Sequence, residues 1–141
     1  MGQFSKNAEG YADPTAAQAI AQVAKEERRY RPLVYICSPY SDDPPGNTEK
    51  AIRYSRYAVD AGAIPLAPHL LLPLYMKEST ERDLAMFMDM VFLGRCEELW
   101  VFGSRVTAGM QAEIEKAKKK QMMIRYFSDD LKEVPRCPDG I

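Results

Sequence analysis

The feature that most narrows the fold is an alternation of short apolar runs with longer stretches of helical periodicity. Leu33-Val34-Tyr35-Ile36-Cys37 is the first such run, stopped by Ser38-Pro39-Tyr40-Ser41. Ala63-Ile64-Pro65-Leu66-Ala67, Glu98-Leu99-Trp100-Val101-Phe102 and Met122 to Tyr126 follow at intervals. Apolar residues at successive positions, not alternate ones, mark strands buried on both faces. The intervening segments read as helices. Asn47 is a candidate cap for one running to about Ala61, with Gly62 as its stop. Thr80 with Asp83 has the form of a capping box for a second, running to about Gly94. A third runs from about Ala108 to Lys120. Pro68 to Lys77 is punctuated by proline and reads as irregular or short-helical. Strands alternating with helices predict an α/β protein: a mostly parallel sheet of four to five strands, covered on both faces and joined by right-handed crossovers.

Ahead of that pattern, Asp13-Pro14-Thr15 opens an alanine-rich segment, Ala16 to Arg29, read as an extra N-terminal helix. Beyond Phe127 the sequence turns polar and proline-containing. The expected organisation is therefore an N-terminal extension over residues 1–30, a domain over 31–127 and a tail over 128–141.

Composition limits the partners. The chain has 141 residues with 19 Lys and Arg against 20 Asp and Glu, a formal charge of -1. That balance supplies no basic field for a nucleic-acid backbone, so a small substrate is the better expectation than a polymer. Cys37, Cys96 and Cys137 are widely spaced, and the chain has a single histidine. Zinc-site spacing is absent and the odd, wide spacing argues against a disulfide framework, which leaves each cysteine as a small buried hydrophobe or a bystander and predicts no metal. The N-terminus lacks an apolar signal core, and no window approaches the roughly 18 apolar residues of a membrane span. The MGQFSK start has Lys6 where a myristoylation signal needs Ser or Thr. The expectation is a cytoplasmic protein with no membrane partner.

In an open parallel sheet, ligands bind beyond the carboxyl ends of the strands. The segments there are Ser38 to Asn47, Pro68 to Lys77 and Gly103 to Ala108. The first is too poor in glycine to cradle a nucleoside triphosphate. On the last helix Met110, Ile114 and Ala117 form an apolar stripe that contains Glu113, which turns this carboxylate toward the sheet or a cleft. The pattern alone equally allows Glu113 to reach water at the margin of the stripe. Glu115 reads as a surface residue paired with Lys118 and Lys119. Asp89 is flanked at helical spacing by Ala85, Met86, Phe92 and Leu93, so its carboxylate needs a partner, a loop to cap or a function. Leu84, Phe87, Met88 and Val91 make the other side of that helix apolar too, which predicts a second subunit against it. His69 sits at the exit of the second strand, where it serves as a structural hydrogen-bonder or as part of a site.

Val34-Tyr35-Ile36-Cys37-Ser38-Pro39-Tyr40, Leu66-Ala67-Pro68-His69-Leu70, the spacing from Asp89 to Trp100-Val101-Phe102-Gly103, and Gly109-Met110-Gln111-Ala112-Glu113-Ile114 together resemble the nucleoside 2-deoxyribosyltransferase-like superfamily. Within it the chain is similar to an uncharacterised bacterial and phage branch, a domain of unknown function, over about residues 31 to 127. The resemblance implies a flavodoxin-like (Rossmann-like) three-layer sandwich, a homodimer or higher oligomer, and cleavage or exchange at the bond between sugar and base.

By position, the resemblance makes Glu113 the nucleophile, Asp89 the carboxylate engaging the nucleobase and Tyr35 the residue orienting Glu113. It surrounds the substrate with Ser38, Tyr40, His69, Gly103, Thr107, Gly109 and Met110. Two positions depart. Ser38-Pro39-Tyr40 stands where nucleotide hydrolases of the superfamily have a glycine-rich turn with an arginine. Thr107 stands where relatives have serine or aspartate. The expected chemistry needs no cofactor: a carboxylate captures the sugar carbon as the base departs, then water or a second base completes hydrolysis or transfer. The alternative expectation is a catalytically silent module that binds nucleotides or related metabolites on the same scaffold.

Overall fold

A computed structural model describes residues 14–26 and 30–135. The chain divides into two compact units, Met1–Tyr30 and Arg31–Ile141. In the first, helix α1 (Pro14–Glu26) leaves Ile20 and Val23 exposed. The expected residues Asp13 and 27–29 of that helix lie outside the described residues.

The second unit is built on one five-stranded sheet in the order β2-β1-β3-β4-β5. Its strands are β1 (Leu33–Cys37), β2 (Ile64–Leu66), β3 (Glu98–Phe102), β4 (Met123–Phe127) and β5 (Glu133–Val134). The first four run parallel, with Tyr35 level with both Leu66 and Leu99, and Val101 level with Tyr126. Helices α2 (Pro44–Asp60), α3 (Glu78–Arg95) and α4 (Ala108–Lys119) connect them. Side chains alternate across a strand, and here each set meets a different helix layer. Tyr35, Cys37, Leu99 and Val101 pack with Leu93, Met110, Ile114 and Ala117 of α3 and α4. Val34, Ile36, Trp100, Phe102 and Phe127 pack with Tyr54 and Ala58 of α2. On that second face Tyr54, Phe102 and Phe127 stack at centroid distances of 4.4 and 4.8 Å.

Several boundaries differ from the sequence reading, each for a local reason. Asp43, not Asn47, caps α2: its side chain accepts from the Gly46 amide at 3.4 Å. Pro44 and Pro45 follow it directly, at positions where a missing N–H costs nothing. Asn47 is instead buried in the first turn, where its Nδ2 donates to the Tyr40 carbonyl at 3.1 Å and to Asp42 Oδ1 at 2.8 Å. Helix α3 starts ahead of Thr80, with Lys77 at its cap and the Glu81 carboxylate accepting the Lys77 amide at 2.8 Å. Glu81 itself departs from helical geometry and kinks the first turn. The Pro68 to Lys77 segment contains two 3-10 turns, Pro68–Leu70 and Leu72–Leu74.

The stretch after Phe127, read as tail, turns back through Leu131 in the left-handed region (φ 67) and adds β5 antiparallel to β4. Arg125 secures it with paired bonds to Glu133 at 2.9 and 2.7 Å, while lying 4.6 Å from the Trp100 ring centre. Among the described residues, no helix is long and apolar enough to cross a membrane, and no cluster of His, Cys, Asp and Glu could hold a metal.

Candidate functional site

The exits of β1, β2 and β3 meet α3 and the start of α4 around a cavity of about 220 Å³. Its chemistry begins one layer down. Tyr35, fully buried on β1, donates its phenolic proton to Glu113 Oε2 at 2.7 Å. Glu113 reaches this place because it shares the buried face of α4 with Met110, Ile114 and Ala117. The alternative in which it reaches water is not what the structure shows: Glu113 is 5% exposed. Glu115, by contrast, is exposed, and it accepts from Gln111 Nε2 at 3.2 Å and not from the expected lysines.

Burial pushes the Glu113 carboxyl up to about 7, with Asp89 adding to the rise and the donors Tyr35 and Cys37 opposing it. Burial, reinforced by Glu113 and Asp89, drives the Tyr35 phenol far above its ordinary range, so it stays a donor. Glu113 also lines the cavity. A carboxylate that is buried, oriented by a phenol and open on one side is arranged to meet a ligand.

Asp89 lines the same cavity from α3, its Oδ1 buried without a hydrogen-bond partner among the described residues. Burial raises it to about 6, helped by the nearby negative charge of Glu78. Two acids that hold protons into the neutral range therefore share one space. Ser38 is 2% exposed, lines the cavity and has an unpartnered Oγ. Tyr40 and His69 line it edge to face, ring centres 5.2 Å apart. Burial holds His69 down to about 4, so the ring is neutral at physiological pH.

Thr107, Gly109 and Met110 form the wall at the start of α4. The Thr107 hydroxyl caps the helix by accepting from the Met110 amide at 3.2 Å. Of the expected residues, only Tyr35 and Gly103 are not part of the lining. Tyr35 stands behind Glu113. Gly103 is a turn: it sits at φ +105, its amide bonds to the Phe127 carbonyl at 3.0 Å, and a Cβ there would meet Asp129 Oδ1 at 3.3 Å.

The sequence reading passed over the α3 wall, where Glu78, Arg82, Ala85 and Met86 line the cavity with Asp89. Their spacing repeats every three to four residues, so one helix face presents them all. Arg82 is ion-paired to Glu78. Arg105 in the β3–α4 loop pairs with Asp42 in the β1–α2 loop at 2.5 Å.

Together these features define an α/β protein with a cavity lined by two carboxyl groups at the carboxyl ends of its parallel strands. Residues 32–127 match the model of the family described as Domain of unknown function (DUF7768), and the chain belongs to that family. Among curated proteins none matches.

Proposed function

We propose that this chain cleaves or exchanges the N-glycosidic bond of a nucleoside or nucleotide, on a flavodoxin-like three-layer scaffold of the nucleoside 2-deoxyribosyltransferase-like superfamily. The parallel order β2-β1-β3-β4 is that of flavodoxin-like sheets, whose ligands bind at the strand ends. One observation carries the reading: the buried Tyr35–Glu113 hydrogen bond, facing a cavity that also holds Asp89.

In the proposed reaction Glu113, ionised, forms a bond from Oε to the anomeric carbon. The carbon–nitrogen bond breaks, and its electron pair leaves with the base. Tyr35 keeps Glu113 aligned, and Asp89, protonated, supplies the proton that the departing base takes up. Water or a second base then attacks the same carbon, its proton passes to the Asp89 carboxylate, and the bond to Glu113 Oε breaks to release the ionised Glu113. Ser38, Tyr40, His69, Thr107, Gly109 and Met110 surround the substrate. No step requires a cofactor. Cys37 and Cys96 are buried thiols outside any disulfide, which fits a reducing, cytoplasmic setting.

Incubation of the full chain with deoxynucleosides, ribonucleosides, their 5'-monophosphates and NAD, followed by chromatography for free base, tests the proposal. Base release from at least one compound, lost in Glu113→Gln, is the expected result. Saturable binding of a nucleoside or nucleotide with no turnover would replace it with the silent binding module.

A further inference from the structure

Most polar groups around the cavity are already committed to one another. Tyr35 donates to Glu113, the Thr107 hydroxyl accepts from the Met110 amide, and Arg82 pairs with Glu78. Among the described residues four buried side-chain oxygens have no hydrogen-bond partner, and two of them, Ser38 Oγ and Asp89 Oδ1, line the cavity. The other two, on Ser55 and Gln111, do not. Ser38 is the first residue beyond β1 and is 2% exposed, so bulk water does not satisfy its hydroxyl. A buried hydroxyl left unmet is costly. Its partner is therefore something the cavity takes in, and water bridging two such atoms is the smallest candidate.

The second half of the proposed reaction, on which this inference rests, gives such a water a task. After the base departs, the sugar is bonded to Glu113 and Asp89 is ionised, ready to take a proton from the attacking group. Water carries two protons and Asp89 needs one. We propose that Ser38 Oγ accepts the other, so that Ser38 and Asp89 together hold the attacking water and make the chain a hydrolase. With both hydrogens directed at fixed oxygens, a lone pair of the water is left for the anomeric carbon. The water oxygen bonds to that carbon, and the bond from the carbon to Glu113 Oε breaks with its electron pair returning to the carboxylate. The proton facing Asp89 moves to Asp89, and the proton facing Ser38 stays on the new sugar hydroxyl. Ser38 orients the water and takes up no proton itself. A second base gives its one N–H proton to Asp89 and has no further proton on that nitrogen for Ser38, so transfer lacks the Ser38 contact.

Methanol probes this difference, because it keeps one proton for Asp89 and carries a methyl group in place of the other. The full chain is incubated in methanol–water mixtures with the compound whose base it releases, and free sugar and methyl glycoside are measured by mass spectrometry. In Ser38→Ala the ratio of methyl glycoside to free sugar should rise about 2- to 10-fold, the effect of one hydrogen bond. The ratio is set within each turnover, so the fraction of folded protein does not alter it. Ser38→Cys, with a weak sulfur acceptor, should fall between the two. With a second base added, the wild-type chain should still give free sugar as its main product. An unchanged ratio in Ser38→Ala would overturn the role of Ser38, as would a wild-type chain that exchanges bases and gives no free sugar. Absence of base release from every compound would instead overturn the proposed reaction, and this inference with it.

Discussion

Tyr35 and Glu113 are 78 residues apart in sequence and 2.7 Å apart in the core, joined by a phenol-to-carboxylate hydrogen bond. The pairing follows from two periodicities. Tyr35 falls on the face of β1 turned toward α4, and Glu113 falls on the face of α4 turned toward β1. Burial raises the Glu113 carboxyl to about 7, and the same carboxyl lines a cavity. Such perturbation concentrates at functional sites.

That burial has a stability consequence with a definite sign. Glu113 is raised from 4.5 to about 7, so the folded chain keeps a proton that the unfolded chain loses. Stability attributable to this group therefore falls as pH rises from about 4.5 to about 7 and is level above. Glu113→Gln removes the effect. Denaturant unfolding should find it more stable than wild type at pH 8, by on the order of 3 kcal/mol, and equal to it near pH 4. Equal stability at both pH values would contradict the burial of a titrating carboxyl here.

Tyr35→Phe keeps the ring and deletes the donor. Removing one hydrogen bond to a charged group is worth about 1.5–3 kcal/mol, so base release should fall about 10- to 100-fold with the fold intact. The acidic limb of the rate profile should move to higher pH, because the lost bond favoured the ionised carboxylate. Unchanged kinetics would remove the orienting role.

Asp89 and Glu113 titrate as a pair, raised to about 6 and about 7. The proposed reaction needs one proton between them, on Asp89, whereas the higher value keeps it mainly on Glu113, so the reactive form is the minor singly protonated one. The profile of kcat/KM should be bell-shaped and narrow, with limbs that belong to the pair. Asp89→Asn should lower the rate and abolish the alkaline limb, leaving a plateau at high pH. A retained bell in that variant would place the acid elsewhere.

Gly103 was expected in the site and is a turn. Gly103→Ala must adopt φ +105 and bring its Cβ to 3.3 Å from Asp129 Oδ1. Thermal unfolding should show a loss of about 1–3 kcal/mol. The pH dependence of base release should be unaltered. An altered pH profile would return Gly103 to the site.

What could be read from the sequence follows how strongly each segment was patterned. Strands β1 and β3 are apolar from their second residue on because both faces are buried there, and the sequence reading placed both at the observed bounds. Glu113 was legible from its place in the stripe of Met110, Ile114 and Ala117. The start of α2 was not. Asn47 and Asp43 are both good caps, and the consecutive prolines between them decide for Asp43. Strand β5 escaped because two residues make no periodicity, and its pairing depends on Arg125 meeting Glu133. The α3 wall escaped for a different reason. A helix apolar on two faces has no clear polar side, so nothing in its pattern singled out Glu78 and Arg82.

The most direct test of the central claim compares base release by Glu113→Ala and Glu115→Ala, two truncations on one helix. Their directions differ by about 200° on the helical period, so only one can meet the cavity. Glu113→Ala should lower the rate by several orders of magnitude, because positioning by the remaining residues does not replace a nucleophile. Glu115→Ala loses only its contact with Gln111. It should change stability by no more than about 0.5 kcal/mol and leave the rate nearly unchanged. A folded Glu113→Ala chain that releases base at the wild-type rate would contradict the account.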